Sequence, residues 1–185
     1  MDSGGHHTTR VYRYTKRRQN LHIYAIKGFG GEEKELICGH SHTHPIGNVL
    51  FNIGVDTAKL AMFARLRVGT PGAGYRHFPK QQNGEPLHGY DEVYFAGLTE
   101  SEFIQTVRKR GYERFEWHKR EHVRNEPLDI AGYGLAALRF MEDNGLKLDA
   151  IERLTVAKET GDAAKLIKTA KPKRPVGHIN MEIEV

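Results

Sequence analysis

Short β-rich segments that alternate with helical segments are the feature that most restricts how this chain can fold. Residues 22–26 are rich in β-formers and are followed by a glycine-rich turn that begins at Gly28. A second strand is predicted over residues 49–55, and a helix with one apolar face then extends to about Leu66, with Asp56 as its cap. This alternation indicates an α/β domain with a mixed sheet flanked by helices.

Further elements are predicted on either side of these strands. Helices are expected over residues 8–18 and 91–98, and the polar stretch up to Gly47 is expected to be a loop or a short ribbon. Residues 101–120 favour a β-hairpin insertion that turns at residues 110–112. Asn125 is predicted to cap a helix over residues 126–141. We therefore predict one domain over residues 1–142, followed by a C-terminal helix and a basic tail over 143–185.

Composition excludes several classes of protein. The 185 residues contain a single cysteine, Cys38, which rules out an intramolecular disulfide framework and indicates a reducing compartment. No apolar run approaches the roughly 20 residues that a membrane span requires, and residues 1–20 are too polar for a signal peptide. Lys and Arg number 28 against 23 Asp and Glu, a net charge of +5. We expect an intracellular protein without a membrane partner, and its basic balance favours a polyanion.

Two acidic residues mark the start of the helix predicted over residues 126–141. Glu126 and Asp129 are three residues apart, so both project from one face of the first turn. Acids at this place often stabilise the helix dipole, and they also suit a divalent-metal site, because Mg²⁺ binds carboxylates, waters and phosphate oxygens. A metal site would need another acid from a distant segment. Asp2, at a glycine turn, is the natural candidate, although Asp before Ser-Gly-Gly is also a common turn former.

Basic residues concentrate in the predicted hairpin and just after it. Tyr112, Phe115 and Trp117 are interleaved with them, and this combination suits a nucleic-acid backbone whose phosphates need neutralising. The alternative is a solvated hairpin face with Phe115 and Trp117 in the core. The candidate DNA-binding residues are Arg108, Lys109, Arg110, Arg114, Lys119, Arg120 and Arg124.

Four other polar residues are candidate auxiliary groups. His6 and His7 follow Asp2 closely, where they could bind phosphate or order a water molecule. Asp56 and Lys59 stand at a strand-to-helix junction, where Lys59 could reach a phosphate while Asp56 caps the helix.

Three alternating histidines raise the possibility of a zinc site. His40, His42 and His44 would share one face of an extended strand, and imidazole is a common zinc ligand. Residues i and i+4 of a strand are about 13 Å apart, however, so the three cannot bind one ion. A polar loop is the preferred interpretation.

Six short segments, taken in order, resemble one known family. They are Asp-Ser-Gly-Gly-His-His-Thr at 2–8, Tyr-Ala-Ile-Lys-Gly at 24–28, Gly-Val-Asp-Thr-Ala-Lys at 54–59, Gly-Tyr-Arg-His-Phe-Pro at 74–79, Tyr-Phe-Ala-Gly-Leu-Thr at 94–99 and Arg-Asn-Glu-Pro-Leu-Asp at 124–129. This ordered set resembles the C-terminal nuclease domain of lambda-type terminase large subunits, the DNA-packaging motors of phages and prophages. The similarity runs from residue 2 to about residue 142.

The resemblance implies an RNase H-like sheet whose acids hold two Mg²⁺ or Mn²⁺ ions. It implies a metal-dependent endonuclease that cuts concatemeric viral DNA during genome packaging. By the family pattern Asp2 matches the second acidic motif, and Glu126 and Asp129 match the C-terminal one. The implied partners are double-stranded DNA, the small terminase subunit and the portal, in the cytoplasm of an infected or lysogenic bacterial host.

The resemblance also implies a departure from the family at the N-terminus. In the family, a first strand with an essential acid and the whole ATPase motor precede the Asp-Ser-Gly-Gly motif, and neither has a counterpart in this sequence. The chain is therefore expected to be truncated relative to the family and, for that reason, inactive or impaired as a nuclease. A second hypothesis follows, in which a prophage remnant binds DNA or the packaging complex without catalysis.

Overall fold

The computed structural model describes residues 1–31, 33–79, 83, 89–109, 111–150 and 153. Its helices and strands follow in the order α1 (Thr8–Lys16), β1 (Ala25–Phe29), β2 (Ile37–Thr43), β3 (Asn48–Gly54), α2 (Val55–Leu66), α3 (Glu92–Thr99), β4 (Glu102–Lys109), β5 (Tyr112–Lys119) and α4 (Glu126–Asp143). The chain divides into two units, Met1–Ala136 and Ala137–Val185. Most of the predicted C-terminal helix and basic tail lies outside the described residues.

The larger sheet is mixed, as predicted. β1 pairs in parallel with β3, and β2 pairs antiparallel with β3, so the strand order is β1-β3-β2. The α1 and α2 helices both pack against β1 and β3. Residues 1–3 lie along the free edge of β1, where Ser3 N–H donates to the Ile26 carbonyl at 2.9 Å and Ile26 N–H donates to the Met1 carbonyl at 2.8 Å. Asp2 is thereby held in parallel register beside Ile26.

Two strands differ from the prediction. β2 is a seven-residue strand where we expected a loop or short ribbon, because its polar, mostly exposed residues lack the apolar alternation of a half-buried strand. It occupies the edge of the sheet, and its register shifts between Ile37 and Gly39. β1 begins at Ala25 rather than at His22, because His22 has a left-handed backbone (φ 56°) that ends a short 3-10 turn over Gln19–Leu21.

The capping role predicted for Asp56 is wrong. The residue before the first turn of α2 is Gly54, and Asp56 is the second residue of the helix. Its Oδ2 accepts a hydrogen bond from Gly31 N–H at 2.7 Å, so the side chain fixes the glycine-rich turn that follows β1.

Three helices form the core of the first unit. Met62 of α2, Leu98 of α3 and Leu128 of α4 are fully buried in it. A Cβ on Gly97 would lie 2.7 Å from both the Arg124 carbonyl oxygen and the Pro127 Cγ, so α3 packs directly against the start of α4. This close approach fixes the position from which α4 begins.

The predicted hairpin forms a separate two-stranded sheet from β4 and β5. Ile104 pairs with Trp117 and Thr106 pairs with Phe115, which places these four side chains on one face. Trp117 stacks on Phe63 of α2 with ring centroids 5.6 Å apart, whereas Phe115 is 60% exposed. The alternative in which both aromatic residues belong to the core is therefore correct for Trp117 and wrong for Phe115.

No helix within the described ranges has both the length and the hydrophobicity to cross a lipid bilayer.

Candidate functional site

Two carboxylates from distant parts of the first unit, those of Asp2 and Asp129, lie close enough for their charges to interact. Asp2 stands beside β1, and its Oδ1 accepts a hydrogen bond from Gly4 N–H at 2.9 Å. Asp129 is one turn into α4, and the negative charge of Asp2 acts on its carboxyl group. One turn further along the helix, the Tyr133 side chain is hydrogen-bonded to Asp2. The start of α4 is thereby linked to the segment that carries Asp2.

The carboxyl group of Asp129 is held in an environment that disfavours its charge. Burial is the main cause that raises its pKa, and the negative charges of Glu102 and Asp2 raise it further. Lys59 and Lys119 act in the opposite direction. The pKa of the Tyr133 hydroxyl is also raised, first by burial and then by Asp2 and Asp129, so the phenol stays protonated. A cation placed between the two carboxylates would relieve this excess of negative charge.

Asn125 connects the acids to one another. Its Nδ2 donates to Glu102 Oε1 and to Asp129 Oδ2, each at 2.9 Å. Its Oδ1 accepts from Lys119 Nζ at 2.7 Å, which fixes the orientation of the amide. The side chain thus bridges neighbouring side chains where we expected a helix cap.

Glu102 is the acid that sequence analysis missed. Its Oε2 lies 2.5 Å from Lys59 Nζ, and the two side chains are only 6% and 12% exposed. The Lys59 ammonium also lies 5.6 Å from the centre of the Trp117 ring. The single available signal was weak: a Glu at the second position of the hairpin predicted over residues 101–120. Lys59, expected to reach a phosphate, has its charge engaged in this buried pair.

The other predicted acids and auxiliary residues lie elsewhere. Glu126 is exposed at the start of α4, and it is not among the charges that shift the pKa of Asp129. His6 and His7 are both exposed in the turn before α1. Asp56 belongs to the glycine turn after β1. Of the predicted catalytic set, Asp2 and Asp129 therefore interact through their charges, whereas Glu126 is not among the charges that act on Asp129.

The hairpin register separates the predicted DNA-binding residues into two groups. Arg108 shares a face with Lys119, the face that continues into the acidic site. Lys109 and Arg114 point to the opposite face, where Lys109 forms an ion pair with Glu116 at 2.5 Å. This ion pair is the main cause that lowers the pKa of Glu116.

The remaining predicted DNA-binding residues flank the hairpin. The Arg120 guanidinium lies 5.3 Å from the centre of the Phe103 ring, and Arg124 is exposed just before α4. Arg110 lies outside the described residues. The described basic residues thus lie on both faces of the hairpin and beside it, and they do not form one patch.

The ligand chemistry of the site fits a hard, hydrated cation. In the part of the chain that the structure describes, no three His, Cys, Asp or Glu side chains gather into a ligand set for one metal. This excludes a zinc site built from His40, His42 and His44, whose exposed side chains line the outer strand and the turn after it. Asp2 and Asp129 fit Mg²⁺ or Mn²⁺ instead, because such ions need only one or two protein carboxylates beside waters and phosphate oxygens.

Comparison with known proteins identifies the chain's relatives. Residues 1–149 match a family described as the endonuclease domain of the terminase large subunit gpA. The terminase large subunit of Escherichia phage lambda is 30% identical over 172 residues, which cover 91% of this chain and 26% of that protein. The chain thus spans about a quarter of the length of this curated relative. No solved structure matches.

Proposed function

Because the chain belongs to the endonuclease-domain family of terminase large subunits, we propose that it cuts double-stranded viral DNA in a reaction that depends on a divalent metal. The observation that carries this proposal is that Asp2 and Asp129, far apart in the chain, are close enough for the charge of Asp2 to act on the half-buried carboxyl group of Asp129. By family membership, we place the reaction in genome packaging inside a bacterial host and assign the sheet to the RNase H-like class. The small terminase subunit and the portal are the proposed protein partners.

In this proposal Asp2 and Asp129 hold one Mg²⁺ or Mn²⁺ ion. Bound there, the ion would supply an activated water and charge stabilisation for phosphodiester hydrolysis. Glu102 has its charge balanced by Lys59, so we assign it to positioning and not to metal binding. Glu126 remains a predicted ligand, and Glu126→Gln in the same assay tests that role.

The chain's own side chains hold this pair of carboxylates in place. Asn125 donates to Asp129, and Lys119 fixes the orientation of the Asn125 amide. Tyr133 stays protonated and holds Asp2 through a hydrogen bond. Lys119 is exposed and has two further N–H donors, which we assign to a DNA phosphate beside the acids.

A plasmid-nicking assay tests the proposal. We expect the chain to nick supercoiled plasmid in Mg²⁺ or Mn²⁺ and to lose at least 100-fold of that activity in Asp2→Asn, in Asp129→Asn and in EDTA. Glu100→Gln is the control, since it neutralises an exposed acid at the end of α3 that has no place in the proposed site, and it should retain most of the activity. Cleavage that survives in Asp129→Asn would overturn the assignment.

The second candidate is a DNA-binding module without catalysis. It is favoured by the lack, among the residues described, of a three-acid cluster for a metal. Salt-sensitive binding to duplex DNA, with no nicking in either metal and no heat on metal titration, would select it over the nuclease.

A further inference from the structure

The helix that follows Asp2 carries a concentration of positive charge that the proposed site does not use. Residues 3–31 contain six Lys and Arg and no Asp or Glu. Five of the six basic residues fall in α1 and the two residues after it: Arg10, Arg13, Lys16, Arg17 and Arg18. Basic residues near the end of a helix stabilise its dipole, but Arg10 stands in the first turn, where the dipole repels a cation. Helix stability therefore does not explain this arrangement.

The arginines of α1 point away from the protein. Thr15 is fully buried and Val11 half-buried on the side that packs against β1 and β3. Arg10, Arg13 and Arg17 recur at helical spacing on the opposite side, where all three are exposed. They span about 10 Å along the helix axis.

The same three guanidinium groups lack a protein partner within the described part of the chain. Among the residues that the structure describes, none of the three side chains takes part in an ion pair or a hydrogen bond. Two neighbouring cations differ, since Lys16 donates to the Gly47 carbonyl and Arg18 lies 3.8 Å from the centre of the Tyr14 ring. Three like charges on one face without counter-charges favour an anionic partner from outside the chain.

A short hydrogen-bonded turn joins this helix to the candidate metal site. Thr8, the first residue of α1, donates through its Oγ1 to the Ser3 carbonyl at 2.7 Å and to the Gly5 carbonyl at 2.8 Å. Ser3 in turn is bonded to Ile26 of β1 through both its N–H and its hydroxyl. The first turn of α1, where Arg10 stands, is therefore anchored to Ser3–Gly5, the segment that directly follows Asp2.

We propose that the exposed arginine face of α1 (Arg10, Arg13 and Arg17) binds the phosphate backbone of duplex DNA and directs it to the Asp2 side of the site. This inference rests on the proposed function for its choice of partner. The hairpin supplies basic residues on the side of Lys119, and α1 supplies them on the side of Asp2, so the duplex meets cations on both sides of the acids. The contacts go to phosphates, and they carry no sequence preference.

The experiment compares two triple variants of the full chain for binding to a labelled 30-base-pair duplex in EDTA, across a series of salt concentrations. In the test variant, Arg10, Arg13 and Arg17 are replaced by Gln. In the control variant, Gln replaces three exposed cations from other segments, Arg67, Lys147 and Arg153. We expect the slope of log K against log salt to become shallower by about 2 to 3 in the test variant only, because each phosphate contact contributes about 0.9. Affinity at 0.1 M salt should fall at least tenfold.

The outcomes separate this inference from the proposed function. Equal slopes in the wild type and the test variant, or equal losses in both triple variants, would overturn the role of α1 even if the wild type nicks DNA. An α1-specific loss of binding in a chain that never nicks DNA would retain the binding surface and reject the nuclease. Far-UV circular dichroism confirms that the variants are folded. The single variant Arg13→Glu, expected to weaken binding more than Arg13→Gln, provides a second measurement.

Discussion

The base and the tip of the hairpin are built from the same two strands, yet they differ in almost every physical respect. At the base, Glu102 is buried in an ion pair with Lys59, and Trp117 stacks on Phe63. Near the tip, Tyr112 is 74% exposed. One element can thus order a chemical site at one end and present an adaptable surface at the other. Side chains at the base act through packing and buried charge, and those at the tip are available to a partner.

The largest effect is expected from breaking the buried ion pair at the base. Lys59→Met would leave Glu102 buried without its counter-charge and cost about 3 to 5 kcal/mol of the free energy of unfolding, measured by urea denaturation. The double variant Lys59→Met with Glu102→Gln should recover part of that loss, because no unpaired charge remains. The exposed pair near the tip is the control. Lys109→Met should leave the urea midpoint unchanged within error, and equal losses at base and tip would contradict the comparison.

The two aromatic residues of the shared hairpin face provide the next test. Trp117→Ala removes the stack on Phe63 and should cost about 2 kcal/mol of the free energy of unfolding. Phe115→Ala, at a position that is 60% exposed, should cost less than about 1 kcal/mol. Thermal unfolding of the two variants side by side measures the difference. If Phe115→Ala proved the more damaging of the two, the tip would be part of the packed structure.

A substitution of Asn125 tests whether the residues at the base of the hairpin position the acidic side chains. Asn125→Ala removes the bridge between Glu102, Asp129 and Lys119, and we expect nicking activity to fall about 10- to 100-fold, as for other residues that orient metal ligands. Affinity for duplex DNA, measured in EDTA, should change less than threefold, since no phosphate contact is lost. A parallel loss of DNA affinity would instead indicate a direct contact with the substrate.

The smallest expected effect is a pH dependence that originates at Asp129. Burial raises its pKa in the folded state, so the folded chain binds this proton more tightly than the unfolded chain does. Its contribution to stability is therefore lost as the pH rises from the ordinary aspartate range through the raised pKa. Binding of Mn²⁺, which needs the ionised carboxylate, should strengthen over the same range. Asp129→Asn should abolish both trends in thermal unfolding and calorimetry, whereas Lys109→Met should leave them intact.

Local sequence patterns were sufficient for most of the fold. The apolar stripes of α2 and α4 and the alternation of β4 and β5 are properties of neighbouring residues, so these elements were predicted close to their observed bounds. β2 was missed as a full strand because it is held by hydrogen bonds to β3 and buries few of its side chains. Backbone pairing at a sheet edge leaves little trace in side-chain hydrophobicity.

The candidate site was only partly accessible to the same reasoning. Spacing on a helix places Glu126 and Asp129 on one face, but it does not determine which of the two carboxylates interacts with Asp2. Glu102 and Tyr133 act through contacts with distant segments, Lys59 and Asp2 respectively, that no local pattern encodes. The glycine turn at Asp2 made it the candidate for the further acid, and the resemblance matched it to an acidic motif. The tertiary structure supplied the residues that surround the pair.

The contact between Gly97 and the first turn of α4 has a consequence for the acids. A methyl group at position 97 would meet the Arg124 carbonyl and the Pro127 ring at 2.7 Å, closer than atoms of this kind can approach. The start of α4 would have to move away from α3, and Asp129 would move with it. Displacing a reactive group by about 1 Å can slow an enzyme about 100-fold. Gly97 takes no part in the proposed reaction, yet the absence of its side chain sets the position of Asp129 relative to Asp2.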